Sequence, residues 1–195
     1  MDRPKRVGVL ALQGDFEAHQ KALERAGAEA VPVRTAAELE TVDGLVIPGG
    51  ESTTMLLIMR DEGLFEPLQK FAETRPIFGT CAGAILVASE VSHPAQASLG
   101  LVDIAVERNA YGRQLDSRVV NLEPEPAFRD EAGSGSLEAV FIRAPIIQKT
   151  GPDVKVYLRY QGDPVLISQG RHLVATFHPE LTSDPRVHKL FLARL

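Results

Sequence analysis

The chain has 195 residues, 44% of them hydrophobic and 24% charged, with a formal net charge of -5 at pH 7. That size suits one domain, residues 1–195, with a core of its own, and the acidic balance excludes the basic face of a nucleic-acid binder. A single cysteine excludes an intramolecular disulfide and, with it, the staples of small secreted scaffolds.

In chain order, residues 7–12 form the first predicted strand, apolar enough to be buried. The charged start runs straight into this strand, which is too short for a signal peptide. No run approaches the ~20 apolar residues of a membrane span, so no membrane association and a cytoplasmic location are expected. A helix over 16–26 follows, stopped by Gly27. Residues 30–33 form a second strand, placed at a sheet edge by Pro32. Thr35 and Glu38 stand at capping-box spacing and open a short helix. The strand over 44–47 is halted by Pro48-Gly49-Gly50, and a helix over 52–62 begins on Ser52 as its cap. A fourth strand covers 76–79, and a helix over 82–89 starts directly after it.

Past residue 101 the pattern changes to strands with few helices between them, at 102–106, 139–142, 154–160, 165–168 and 173–176. Residues 123–138, rich in proline, acids and glycine, read as a mobile surface loop. Asp184 caps a last helix over 185–195, with Pro185 at its first position. The expectation is a three-layer α/β fold, with a mostly parallel sheet, helices on both faces, and mixed or antiparallel strands in the second half.

The chemistry centres on Gly79-Thr80-Cys81-Ala82-Gly83. A nucleophile between a strand end and a helix start, flanked by glycines, is the nucleophile-elbow pattern with cysteine in place of serine. Side chains at the flanking positions would clash, and the helix N-terminus favours a thiolate. Taken alone, a buried core cysteine competes evenly with this reading. The nucleophile needs a base, and the base needs an orienting group. His19, His93, His172 and His188 read as surface residues. His178 ends an apolar strand, and Pro179 lets Glu180 turn back to the ring, as the acid of a triad does. Gly49 and Gly50 expose backbone N–H groups toward the same strand ends, where they suit either an oxyanion hole or a plain tight turn. One cysteine and scattered histidines offer no metal-ligand spacing, and no cofactor is implied.

Together, the elbow, the Gly-Gly loop and His178-Pro179-Glu180 resemble the class I, triad-type glutamine amidotransferases. The closer resemblance is to the glutaminase subunits of pyridoxal 5'-phosphate synthases. It rests on Leu10 through Asp15, Leu45 through Met55, Phe78 through Gly83, residues 106–114 with Glu107-Arg108-Asn109, Phe141-Ile142-Arg143-Ala144-Pro145, and Phe177 through Thr182. It implies a class I glutamine amidotransferase fold and hydrolysis of L-glutamine to glutamate and ammonia by Cys81, His178 and Glu180. It also implies an oxyanion hole at Gly50 and Ala82, and glutamine contacts from Gly50, Glu51, Ser52, Arg108, Ile142 and Arg143. From the residues alone, Arg108 and Arg143 would be surface ion-pair residues; a carboxylate-bearing substrate gives them a use as bidentate donors. The implied partner is the synthase subunit that consumes the ammonia, with the Gly-Gly loop completed on docking and residues 13–15 and the first helix as the contact. Competing readings are a glutaminase serving another synthase, such as that making imidazole glycerol phosphate, an unrelated cysteine hydrolase, or a non-catalytic module of the same fold.

Overall fold

The computed structural model describes residues 3–109 and 117–195; residues 110–114 of the Glu-Arg-Asn string lie outside them. The first half alternates strand and helix: β1 (Arg6–Leu10), α1 (Phe16–Arg25), β2 (Glu29–Val33), α2 (Ala36–Leu39), β3 (Gly44–Ile47), α3 (Ser52–Asp61), α4 (Phe65–Ala72), β4 (Ile77–Thr80) and α5 (Ala82–Val87). The second half continues as β5 (Ala88–Ser92), β6 (Val102–Glu107), β7 (Arg118–Leu122), α6 (Pro126–Ala132), β8 (Leu137–Phe141) and β9 (Ile146–Thr150). It closes with β10 (Lys155–Tyr160), β11 (Asp163–Gln169), β12 (His172–Ala175), a 3₁₀ turn at Pro179–Leu181 and α7 (Arg186–Leu192).

Seven strands form the main sheet in the order β10-β11-β12-β4-β3-β1-β2. The pairs from β12 to β2 are parallel, and β10-β11-β12 is antiparallel. The sheet is therefore mixed, as expected. β2 occupies an edge, which is where Pro32 can sit without leaving a ladder bond unmade. Smaller sheets, β5-β6-β9 and β7-β8, flank it.

Period-two alternation gives the main sheet two buried faces. Leu45, Ile47, Ile77, Ile167 and Val174 join one core with Met55, Met59, Leu68, Phe71 and Leu86 from α3, α4 and α5. Val46, Phe78, Leu166, Leu173 and Ala175 join the other with Leu23 of α1, Phe128 of α6, and Leu190 and Phe191 of α7. Phe191 is fully buried and meets the Phe78 ring at 5.5 Å. Phe191→Ala is expected to destabilise the fold by about 3–5 kcal/mol, read as a lower urea midpoint at an unchanged slope.

Several boundaries differ from the sequence expectation. α3 takes Glu51 as its N-cap, while the Ser52 hydroxyl donates to Gln96 Oε1 at 3.1 Å. The helix expected over 82–89 ends at Val87, because Ala88 turns extended and pairs with β6. The supposed loop over 123–138 contains α6, with Pro126 in its first turn and Phe128 driven into the core. α7 is shorter than expected and starts after Pro185; Asp184 still accepts the Arg186 N–H at 3.0 Å, one position outside the cap. The Thr35–Glu38 capping box forms as expected. No helix among the described residues is long and apolar enough to cross a membrane.

Candidate active site

Parallel strands aim their carboxyl ends at one side of the sheet, and sites collect where the strand order reverses. Here β2 and β3 lie on opposite sides of β1. The segments after β1, β3, β4 and β12 meet there around a cavity of about 360 Å³, the small end of ligand-pocket sizes.

Cys81 joins β4 to α5 with φ 50° and ψ -104°, a left-handed conformation that costs a non-glycine residue strain energy. The elbow is possible because its neighbours are bare. A Cβ on Gly83 would strike the Ile47 carbonyl, and one on Gly79 would come within 2.6 Å of the Gly83 carbonyl oxygen. The same holds across the cleft, where a Cβ on Gly49 would lie 2.6 Å from His178 Cε1. Cys81 is buried but lines the cavity, and its N–H is anchored on the Ala175 carbonyl of β12 at 2.9 Å. Ala82 begins α5, so its N–H belongs to the first helical turn, which has no partner inside the helix.

His178 follows β12 and is fixed by its own N–H on the Val140 carbonyl at 2.8 Å. The 3₁₀ turn at Pro179 folds Glu180 back, and Glu180 Oε1 lies 2.6 Å from His178 Nδ1. Burial works against a charged ring here. Hydrogen bonds and charge interactions with Cys81 and Glu180 outweigh it and raise the His178 pKa to about 10. An imidazolium is thus the resting form near neutral pH, held between a sulfur and a carboxylate.

The other sequence candidates converge on the same cavity. Gly50, Glu51, Ser52, Arg108, Ile142 and Arg143 all line it with Cys81, Ala82 and His178, while Glu180 sits behind His178. Ser52 is buried, whereas Glu51 and Arg143 are exposed and face each other at 4.0 Å. The Arg108 guanidinium donates to Thr53 Oγ1 at 2.8 Å. The Ile142 carbonyl lies 3.9 Å from Cys81 Sγ, and Arg143 follows with a positive φ of 44°. Arg108, Arg143 and the Glu51 carboxylate form a set that matches the two charged groups of a free amino acid.

Gln13 and Asp15, expected at a partner contact, also line the cavity. The Asp15 N–H donates to the Gly49 carbonyl at 3.4 Å, and the Glu51 N–H to Gln13 Oε1 at 2.8 Å. The approach is so close that a Cβ on Gly50, at φ 147°, would strike Gln13 Oε1. Asn109, Ile85 and Leu181 complete the wall.

Two histidines expected on the surface are buried. His19 and His188 are 0% and 1% exposed, and their rings meet behind the triad. Burial, then the His188 and His178 charges, hold the His19 pKa well below 6.5; burial, then Arg25, lowers His188 to about 4. Half-buried His172 also differs from expectation: its Nδ1 accepts the Ile77 N–H at 3.1 Å, and burial and Arg171 bring its pKa to about 4. His93 is exposed as expected.

These shifts give stability a pH optimum. Below pH 6.5 the unfolded chain binds protons that folded His172 and His188 refuse, so stability falls as pH drops toward 4. His178 has the opposite sign: its contribution is complete below 6.5 and is lost as pH rises through about 10. Urea unfolding at about pH 5, 6.5 and 9 should show the highest midpoint at 6.5, and His188→Gln should flatten the acid limb.

Compared with known proteins, residues 9–195 match the sequence profile of the SNO glutamine amidotransferase family. The chain is 62% identical, over 98% of its length and 100% of the relative's, to a protein of Solibacter usitatus called pyridoxal 5'-phosphate synthase subunit PdxT. A protein of Koribacter versatilis with the same name is 54% identical, over 96% of this chain and 94% of its own. A crystal structure described as a glutamine amidotransferase superposes with a TM-score of 0.87 at 46% identity, covering 96% of this chain and 97% of that one. The PurLQS structure from Thermotoga maritima, at 19% identity and a TM-score of 0.76, covers 98% of this chain and 99% of that one and shares the fold.

Proposed function

The chain belongs to the SNO glutamine amidotransferase family, and from that premise we propose that it is the glutaminase subunit of a cytoplasmic pyridoxal 5'-phosphate synthase, acting as one domain over residues 1–195. The observation that carries the chemistry is the strained Cys81 beside a His178 whose far nitrogen lies 2.6 Å from Glu180. The PdxT relatives, matched along nearly their whole length, support the pathway and the synthase partner.

In this reading the Cys81 thiolate attacks the γ-amide carbon of glutamine. The N–H groups of Gly50 and Ala82 take the charge that develops on the carbonyl oxygen. The His178 imidazolium gives its proton to the departing nitrogen, ammonia leaves, and a γ-glutamyl thioester remains. Neutral His178 then accepts a proton from water as the water attacks the thioester. Glutamate leaves, and the thiolate and imidazolium are restored. Glu180 keeps the ring in its tautomer and supports its charge in both halves. Arg108, Arg143, Glu51, Ser52 and the Ile142 carbonyl orient the α-carboxylate and α-ammonium.

Ammonia released into water would be protonated and lost as a nucleophile, so the reaction is useful only when docked to the synthase subunit. The hydrogen bonds between residues 13–15 and residues 49–51 couple the proposed docking segment to the loop of the proposed oxyanion donors. The test is ammonia release from glutamine by the purified chain, alone and with its synthase subunit. Release that rises on adding the synthase supports the proposal. Release indifferent to that synthase rejects the partner, and no release in either condition rejects the glutaminase itself.

A further inference from the structure

Behind the triad lies a second polar layer for which the mechanism above has no use. Glu180 spends one oxygen on His178, and its other, Oε2, is buried without a well-aligned hydrogen bond among the described residues. The nitrogen facing that oxygen is His19 Nε2, at 3.3 Å. The same Nε2 lies 2.9 Å from Thr80 Oγ1, on the residue before the nucleophile. On its far side His19 Nδ1 lies 3.1 Å from His188 Nε2. The edge of Phe78 walls in both rings, at 6.3 Å and 5.9 Å between centroids.

The hydrogen positions follow from the partners. Both histidines are neutral, so their N···N contact has one donor and one acceptor. If His19 donated from Nδ1, its Nε2 lone pair would face a buried carboxylate oxygen, lone pair against lone pair. If His188 donates instead, His19 carries its hydrogen on Nε2, directed at Thr80 Oγ1, with Glu180 Oε2 3.3 Å from the same nitrogen. The second arrangement alone sets a hydrogen, and not a lone pair, beside the carboxylate oxygen.

We propose that His19 is a positioning residue for the triad: its Nε2–H seats the outer oxygen of Glu180, and the His188 N–H sets the tautomer that allows this. The relay thus runs from His188 of α7 through His19 of α1 to Glu180, His178 and Cys81. The ionisable groups facing it are His178, Glu180 and, beyond His188, Arg25. The inference rests on the glutaminase reading and deepens it.

Two amide substitutions separate positioning from packing. His19→Gln places an amide N–H near the Nε2 position, facing Glu180. His19→Asn places it near Nδ1, facing His188, and leaves Glu180 without a donor. Glutaminase kcat, KM and the pH-rate profile are measured for the chain bound to its synthase subunit. His19→Gln should stay within about five-fold of the unmodified chain, the better-placed of the two amides. His19→Asn should lose kcat by roughly 10²-fold, the size of a misplacement of about 1 Å, at unchanged KM. Its alkaline limb should also move below the unmodified chain's, because a mis-seated Glu180 no longer holds up the His178 pKa. Equal activities for the two variants, or an unmoved alkaline limb in His19→Asn, would overturn the proposal. If either variant melts early, His188→Leu removes the donor to His19 Nδ1 while leaving His19 itself in place; the same downward shift supports the relay and its absence rejects it. An active unmodified chain with indistinguishable variants sinks this inference alone, whereas an inactive unmodified chain sinks the glutaminase reading with it.

Discussion

Cys81→Ala is expected to lower glutamine turnover by about 10⁶-fold, the loss seen when the nucleophile of another triad hydrolase is removed. No neighbour can substitute, because Cys81 is the chain's single cysteine. Thr80, the adjacent hydroxyl, is fully buried and already engaged with His19. Glutamine binding should survive, since the charged groups proposed to orient it lie on other segments. Stopped ammonia release with retained glutamine affinity, measured with the synthase subunit bound, is the expected pattern. Near-normal turnover would return Cys81 to the role of a core residue.

The second large effect belongs to Glu180→Gln. The substitution keeps size and burial, but an amide can present its NH₂ to His178 Nδ1 and thereby favour the wrong ring tautomer. In a serine triad the equivalent change costs about 10⁴-fold in kcat, and the same order is expected here. A pH signature accompanies it. Part of what raises the His178 pKa to about 10 is the Glu180 hydrogen bond and charge. Without them only the Cys81 interactions oppose burial, the ring loses its proton at lower pH, and activity should decline earlier on the alkaline side. A variant with the full rate loss but an unchanged alkaline limb would show that Glu180 acts by packing alone.

How much of this was legible in the sequence depends on the distance over which each feature is made. The elbow and the His-Pro-Glu turn are local: strand, turn and helix succeed one another within a few residues, and so they can be read in line. The Thr35–Glu38 box and the edge-forming Pro32 were legible for the same reason. The helix α4 carries helical spacing in Leu64, Leu68 and Phe71, but Pro67 obscures it, though a first turn tolerates proline. β7 and β9 were harder. Most of their side chains are exposed or half-buried, and they become strands through their pairing with β8 and β6. The burial of His19 and His188 was beyond a linear reading. They are 169 positions apart and meet because α1 and α7 pack over the same face of β4. Likewise nothing in the Gln13 segment alone announces that it braces the Gly49–Gly50 loop.

The strand order of the main sheet also says when in the life of the chain the chemistry can begin. Cys81 is made early, but its N–H rests on Ala175, and the base and acid proposed for it lie at 178 and 180. β12 must slot in beside β4, across nearly a hundred residues, before any of these meet. A chain still emerging from the ribosome, with N-terminal elements folding first, therefore holds a nucleophile with no base. Long-range pairing of this kind is the slow part of folding. A half-made subunit thus has no assembled Cys81, His178 and Glu180 with which to hydrolyse glutamine.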